Sequence, residues 1–113
     1  MPGLELNHAT GCCRIHLERG LLDKPELWRD HVSGTVLVVT DQTVAGHYLK
    51  RLLNTLAEFG PAELILPPGE QNKTLEQWHA IVEKLAAIGA QRDATVVALG
   101  GGVIGDLAGF AAA

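Results

Sequence analysis

Four glycines fall within the eight residues Leu99-Gly100-Gly101-Gly102-Val103-Ile104-Gly105-Asp106. The apolar run Thr95 to Leu99 leads in, and the small apolar residues Leu107 to Ala113 lead out, so the glycines mark a strand-to-helix turn. Such a turn leaves backbone N–H groups uncovered by side chains and aligned with the positive end of the helix dipole. That arrangement accepts a phosphate or pyrophosphate. Gly100, Gly102 and Gly105 have the G-x-G-x-x-G spacing of dinucleotide-binding turns, though the usual fingerprint follows the first strand of its unit and has a ribose-binding acid about 20 residues later. Here the glycines follow the third strand. The phosphate loop of NTPases needs Lys and Ser/Thr next, where this chain has Asp106-Leu107, so an NTPase is not indicated. The purely structural account is that the glycines permit a tight turn and close helix–strand packing. Asp106, expected in the first helical turn, either complements the dipole or accepts a hydrogen bond from a ligand amide or hydroxyl; a phosphate would repel it.

Two other loops have chemistry-bearing residues. Pro67-Pro68-Gly69-Glu70-Gln71-Asn72-Lys73 starts stiff and turns polar. Glu70 and Lys73 either form a loop salt pair, with Thr74 capping the next helix, or clamp the two hydroxyls of a ribose. Asp41 is either a helix N-cap or a ribose ligand, and Thr43 is an equally good cap. Five histidines show no ligand spacing, the adjacent Cys12 and Cys13 suit neither a mutual disulfide nor a thiolate metal site, and Arg92-Asp93 reads as a local ion pair.

Those loops need a scaffold. Leu4 and Leu6, then Cys13, Ile15 and Leu17, alternate with polar residues around a turn at Ala9-Thr10-Gly11, which predicts a β-hairpin. A short helix follows, with Asp23 as cap, Pro25 in its first turn, and Leu27 and Trp28 buried. From Thr35 the pattern changes. Thr35 to Thr40 is a β-branched run suited to a strand covered on both faces. Val44 to Phe59 has helical spacing and stops at Gly60-Pro61; Glu63 to Leu66 is a strand; Leu75 to Ile88 carries an apolar stripe ended by Gly89; Thr95 to Leu99 is the third strand. The order predicts an α/β fold: a Rossmann-like parallel sheet with flanking helices and an amino-terminal hairpin, over residues 1–34 and then a βαβαβα unit over 35–113. Ligands of such sheets sit beyond the carboxyl ends of the strands, where Asp41-Gln42-Thr43, Pro67 to Lys73 and Gly100 to Asp106 lie.

At 113 residues with 47% hydrophobic and 19% charged residues, the chain has the composition of one globular domain rather than a disordered one. A net charge of −4 without a basic stripe argues against nucleic acid as a partner. No apolar run reaches the roughly 18 residues of a membrane span, and the amino terminus lacks the regions of a signal peptide, so a cytoplasmic protein is expected.

The segments Pro68-Gly69-Glu70-Gln71-Asn72-Lys73-Thr74-Leu75 and Arg92 through Ala113, with Gly109-Phe110 after the glycine turn, resemble one family, the 3-dehydroquinate synthases. Val38-Val39-Thr40-Asp41 also fits, and the likeness is loosest before Thr35. The resemblance implies a lyase of the shikimate pathway that converts 3-deoxy-D-arabino-heptulosonate 7-phosphate to 3-dehydroquinate with loss of phosphate. It implies NAD, with no net redox change, a divalent metal (zinc or cobalt), and a homodimer. By position, Asp41, Glu70 and Lys73 match contacts to the adenosine side of NAD, with Pro68, Gly69, Gln71 and Asn72 in the same segment. Gly102, Val103, Ile104, Gly105 and Asp106 match the turn at the pyrophosphate and nicotinamide. Thr43 departs from the Asn of some members. The family's metal ligands and most substrate-binding residues fall after Ala113, so no catalytic or metal residue is expected here, and the chain is expected to be the amino-terminal NAD-binding part, inactive alone. The other readings are a different sugar-phosphate cyclase, a glycerol dehydrogenase-like enzyme, whose members usually show Ser in place of Val103, or a non-catalytic nucleotide-binding module.

Overall fold

The computed structural model describes the backbone of residues 3–8 and 11–16, and residues 20–69, 71 and 73–112 in full. Strand β1 (Gly3–His8) pairs antiparallel with β2 (Gly11–His16), from Gly3 opposite His16 to His8 opposite Gly11. This is the expected hairpin; Ala9, Thr10, Leu17 and the side chains of Cys12 and Cys13 lie outside the described residues.

A 3-10 turn (Leu21–Asp23) precedes α1 (Pro25–Arg29), which has Pro25 at its start as expected. Its cap does not follow expectation. Lys24 is the N-cap, with no capping bond from its side chain to the helix, because Asp23 is held inside the preceding turn. There its carboxylate accepts hydrogen bonds from Arg51, at 2.6 and 3.2 Å. Leu27 is half-buried, and Trp28 packs against the core while its Nε1 donates to the Leu21 carbonyl at 3.0 Å. The hydrogen bond from Arg51, aided by its charge, holds the Asp23 carboxyl below the usual carboxylate range. A lowered carboxylate pKa contributes stability above the unfolded-state value, near 3.8, and that contribution disappears as pH falls through the folded-state value. Asp23→Asn is therefore expected to unfold at slightly lower urea than the parent at neutral pH and to match it in strong acid. A gap of equal size at both pH values would eliminate the ion pair as its cause.

Strand β3 (Val36–Asp41) lies between β4 (Ala62–Leu66) and β5 (Thr95–Leu99), and both neighbours run parallel to it. Val36, Leu37, Val38 and Val39 are at most 1% exposed, which is why this strand reads as an unbroken apolar run. Helical structure runs without a break from β3 through α2 (Gln42–Val44), a π turn (Ala45–Leu49) and α3 (Lys50–Thr55), then a 3-10 turn (Ala57–Phe59) ending at Gly60. The π turn interrupts a stretch whose apolar spacing is that of a plain α-helix. Helix α4 (Leu75–Ala87) links β4 to β5, and α5 (Gly102–Ala112) follows β5. Alternation along β3 sorts the core into two layers. Val36 and Val38 pack with Leu49, Leu52, Leu56 and Val97, while Leu37 and Val39 pack with Leu66, Ile81, Ile104, Leu107 and Ala108. Helices thus cover both faces of a Rossmann-like sheet. No helix among the described residues is long and apolar enough to cross a membrane.

The register places the functional edge. Asp41 stands beside Leu66, and Thr40 stands beside Leu99, so all three parallel strands end together. The loops that follow them leave from one edge of the sheet, where folds of this kind have their ligand crevice.

Candidate functional site

Helix α5 starts at Gly102, earlier than the glycine spacing suggested, and Asp106 is its fifth residue rather than a first-turn residue. Each Gly within a helix costs about 1 kcal/mol relative to Ala. Burial of Ile104, Leu107 and Ala108 against the sheet, at 2%, 6% and 2% exposure, offsets that cost. The early start leaves the N–H groups of Gly102, Val103 and Ile104 without carbonyl partners from within the helix. Asp106 lies beyond the first turn, where the dipole effect fades.

The glycines divide by role. A Cβ on Gly100 would sit 3.1 Å from Ile104 Cγ1 and 3.2 Å from its Cβ, so this glycine permits the close approach of α5 to the strand end. A Cβ on Gly101, Gly102 or Gly105 would meet nothing within 4 Å. Packing therefore accounts for Gly100 and not for the other three. What these three share is an exposed position that leaves the backbone at the start of α5 open to the crevice. Ile104 points into the core and Val103 is half-buried against it, so each offers a ligand only its backbone.

Asp41 is the N-cap of α2: its Oδ1 accepts from Val44 N at 2.8 Å. Thr43, the other cap candidate, lies within the helix. One Asp41 oxygen is thus engaged by the backbone, and Oδ2 is oriented by the same cap. Thr74 caps α4 as expected, accepting from Gln77 N at 3.3 Å. In the loop after β4, Pro67 and Pro68 are half-buried while Gly69 and Gln71 are exposed; Glu70 and Asn72 lie outside the described residues.

Lys73 reaches across to the glycine side. Its Nζ stands 2.7 Å from Asp106 Oδ2, with the two side chains 44% and 61% exposed. Glu70, a partner that sequence spacing offers Lys73, lies outside the described residues; the Asp106 carboxylate stands 33 positions away, a contact that only the fold creates. Below this pair, Trp78 of α4 meets Phe110 of α5 edge-on, with ring centroids 5.6 Å apart. Lys73, Thr74, Leu75, Trp78, Asp106 and Phe110 line the cleft between these elements. Two buried polar atoms have no partner among the described residues, Thr40 Oγ1 at the end of β3 and Trp78 Nε1 on α4. Arg92 and Asp93 do not pair with each other; the Asp93 carbonyl instead accepts from Ser33 Oγ at 3.0 Å. His79 stands 3.3 Å from Glu83, and no three His, Cys, Asp or Glu side chains among the described residues are grouped to hold a metal.

Comparison with solved structures defines the class first. The chain superposes on 2-deoxy-scyllo-inosose synthase with a TM-score of 0.83, at 24% identity, over 97% of this chain and 32% of that one. It also superposes on 2-epi-5-epi-valiolone synthase from Streptomyces hygroscopicus, solved with NAD+ and Zn2+ bound, with a TM-score of 0.69 at 33% identity, over 83% of this chain and 27% of that one. The fold is that of the sugar-phosphate cyclases. Sequence narrows it: residues 63–113 match the family model for the 3-dehydroquinate synthase N-terminal region. The 3-dehydroquinate synthase of Methylococcus capsulatus is 51% identical over 100 residues, and that of Pseudomonas fluorescens 48%, each match covering 88% of this chain. Residues 63–113 are thus similar to the amino-terminal region of the 3-dehydroquinate synthases, and the chain as a whole to one part of them. It spans 27% and 28% of the length of those two curated relatives.

Proposed function

We propose that residues 1–113 supply the NAD-binding part of a 3-dehydroquinate synthase. In this reading the βαβαβα unit over 35–113 carries the cofactor, and the whole enzyme converts 3-deoxy-D-arabino-heptulosonate 7-phosphate to 3-dehydroquinate and phosphate. The observation behind it is the exposed start of α5, where Gly101, Gly102 and Gly105 leave backbone N–H groups open and packing gives no reason for glycine. The identity of 48% to 51% with 3-dehydroquinate synthases, against 33% with 2-epi-5-epi-valiolone synthase, favours this substrate over that of another cyclase.

The residues fit NAD. Backbone N–H groups at Gly102, Val103 and Ile104 would hold the pyrophosphate at the positive end of α5. Lys73 supplies an ammonium beside the start of α5, and Asp41, whose Oδ1 is held by the Val44 N–H, would offer Oδ2 to a ribose hydroxyl. Pro68, Gly69 and Gln71 belong to the loop after β4, the family likeness assigns Glu70 and Asn72 of the same segment to the cofactor, and Gly105 keeps the helix face bare. Bound NAD would accept a hydride from the substrate and return it, which leaves no net oxidation. The divalent metal is a different matter. The described side chains give no grouped donor set for it, so metal chemistry is not assigned to them. The metal, the sugar-phosphate contacts, a homodimeric state and a cytoplasmic location belong to the proposal for the whole enzyme.

Gly102→Val tests the cofactor site. Its side chain would enter open space, so the fold tolerates it. The same side chain would stand where the pyrophosphate approaches. Calorimetric titration with NAD is expected to show binding by the parent and a loss of about tenfold or more in the variant, with the thermal midpoint little changed. Equal affinity in both would remove the glycine turn as the site, and no NAD binding by the parent would remove the reading. In a metal-supplemented assay the chain alone is expected to form no dehydroquinate.

A further inference from the structure

An acid beside a phosphate-binding turn is a problem that the Lys73–Asp106 contact solves. Asp106 lies four residues past the start of α5, about 6 Å along the helix axis from Gly102. At that range an uncompensated carboxylate, more than half exposed, repels the anion that the open N–H groups attract. Lys73 Nζ at 2.7 Å neutralises it. The two residues come from opposite sides of the cleft, one from the loop after β4 and one from α5, and the Trp78–Phe110 contact below them joins α4, the helix that this loop enters, to α5.

We propose that Lys73 and Asp106 act as one electrostatic unit, in which Lys73 is the counter-ion that lets the pyrophosphate bind beside Asp106, and Asp106 holds the ammonium at the mouth of the glycine turn. This rests on the NAD reading above and adds a coupling that positional matching to the family does not contain. The unit makes a prediction about sign. Lys73→Met leaves Asp106 bare and lowers affinity. Removing that charge as well, in Lys73→Met/Asp106→Asn, restores part of it, although a second residue of the site has been altered.

The test is titration of the parent, both single variants and the double variant with NAD and, separately, with inorganic pyrophosphate. Lys73→Met is expected to lose about tenfold in affinity for both. The double variant is expected to recover about fivefold over Lys73→Met. The deficit of Lys73→Met also shrinks at high salt, where the exposed charges are screened. A double variant that binds no better than Lys73→Met overturns the proposal, because Asp106 would then serve the ligand directly or not at all. If the parent binds neither probe, it is the NAD reading that fails. Both side chains are substantially exposed, so matched thermal midpoints are expected throughout, and a variant with a lowered midpoint is compared at a temperature where all four are folded.

Discussion

Leu37→Ala is expected to lower the unfolding free energy by about 3–5 kcal/mol, the upper part of the range for a buried leucine. The position explains the size. Leu37 is 0% exposed in the central strand, with Ala62 beside it on β4 and Val96 beside it on β5. Its side chain enters the layer formed by Ile81 of α4 and by Ile104, Leu107 and Ala108 of α5. Strands fix the cavity laterally and two helices close it, so the site has little freedom to collapse. The cost of a cavity that stays open adds to the lost transfer term. Domains of this kind have only about 5–15 kcal/mol in total, so the substitution uses a large fraction of the margin. The urea midpoint is expected to fall by roughly 2 M. Ile65→Ala supplies the contrast: Ile65 is 44% exposed on the edge strand β4, and its loss is expected to cost under about 1 kcal/mol. If the two variants melted alike, β3 would not be the centre of the sheet. The consequence reaches the crevice, because the Leu37 layer is what seats α5 and therefore aims its open N–H groups.

What the sequence made legible follows from how local each cause is. Val36 to Val39 announce a strand buried on both faces, because burial on both sides leaves no polar alternation to confuse the pattern. Thr74 and Asp41 are caps that act over three residues, so spacing identifies them, although only the structure chooses Asp41 over Thr43. The start of α5 at Gly102 differs from the sequence expectation because glycine propensity is a local penalty, whereas the burial of Ile104 and Leu107 that overrides it is tertiary. The π turn at Ala45–Leu49 has no sequence signature at all. Neither does the Lys73–Asp106 contact, which depends on β4 and β5 flanking the same strand and ending at the same edge. Within the crevice, spacing found the loops and topology assembled them. The assignment of Asp41, Lys73 and the glycine turn to particular parts of NAD came from family likeness, since residue chemistry alone left ribose, phosphate and simple capping open.

Gly34→Ala is expected to cost on the order of 3 kcal/mol, although Gly34 is exposed and belongs to no motif. Two effects combine there. Its φ of +63° is left-handed, which costs an alanine about 1 kcal/mol or more. The added Cβ would also stand 2.6 Å from the Asp93 carbonyl oxygen and 2.9 Å from its carbon, and a backbone carbonyl cannot swing aside like the end of a flexible side chain. Hydrogen bonds hold it in place. Ser33 Oγ donates to that carbonyl at 3.0 Å, Ser33 N donates to Thr95 Oγ1 at 3.0 Å, and Thr95 Oγ1 donates to the Ser33 carbonyl at 2.8 Å. Thr95 N then donates to the Thr35 carbonyl at 2.8 Å and begins the pairing of β3 with β5. Gly60→Ala separates the two effects, because Gly60 has nearly the same φ, +61°, and nothing within 4 Å of its Cβ position. It should lose only the conformational part, about 1 kcal/mol. Equal losses in urea melts of the two variants would mean that the Asp93 carbonyl yields and that the Ser33–Thr95 contacts do not fix it. With the expected inequality, the same knot sets the register of β5 at one end and so the height of the glycine turn at the other. Gly34→Ala is then expected to weaken NAD binding even at temperatures where the chain stays folded, while Gly60→Ala leaves it unchanged.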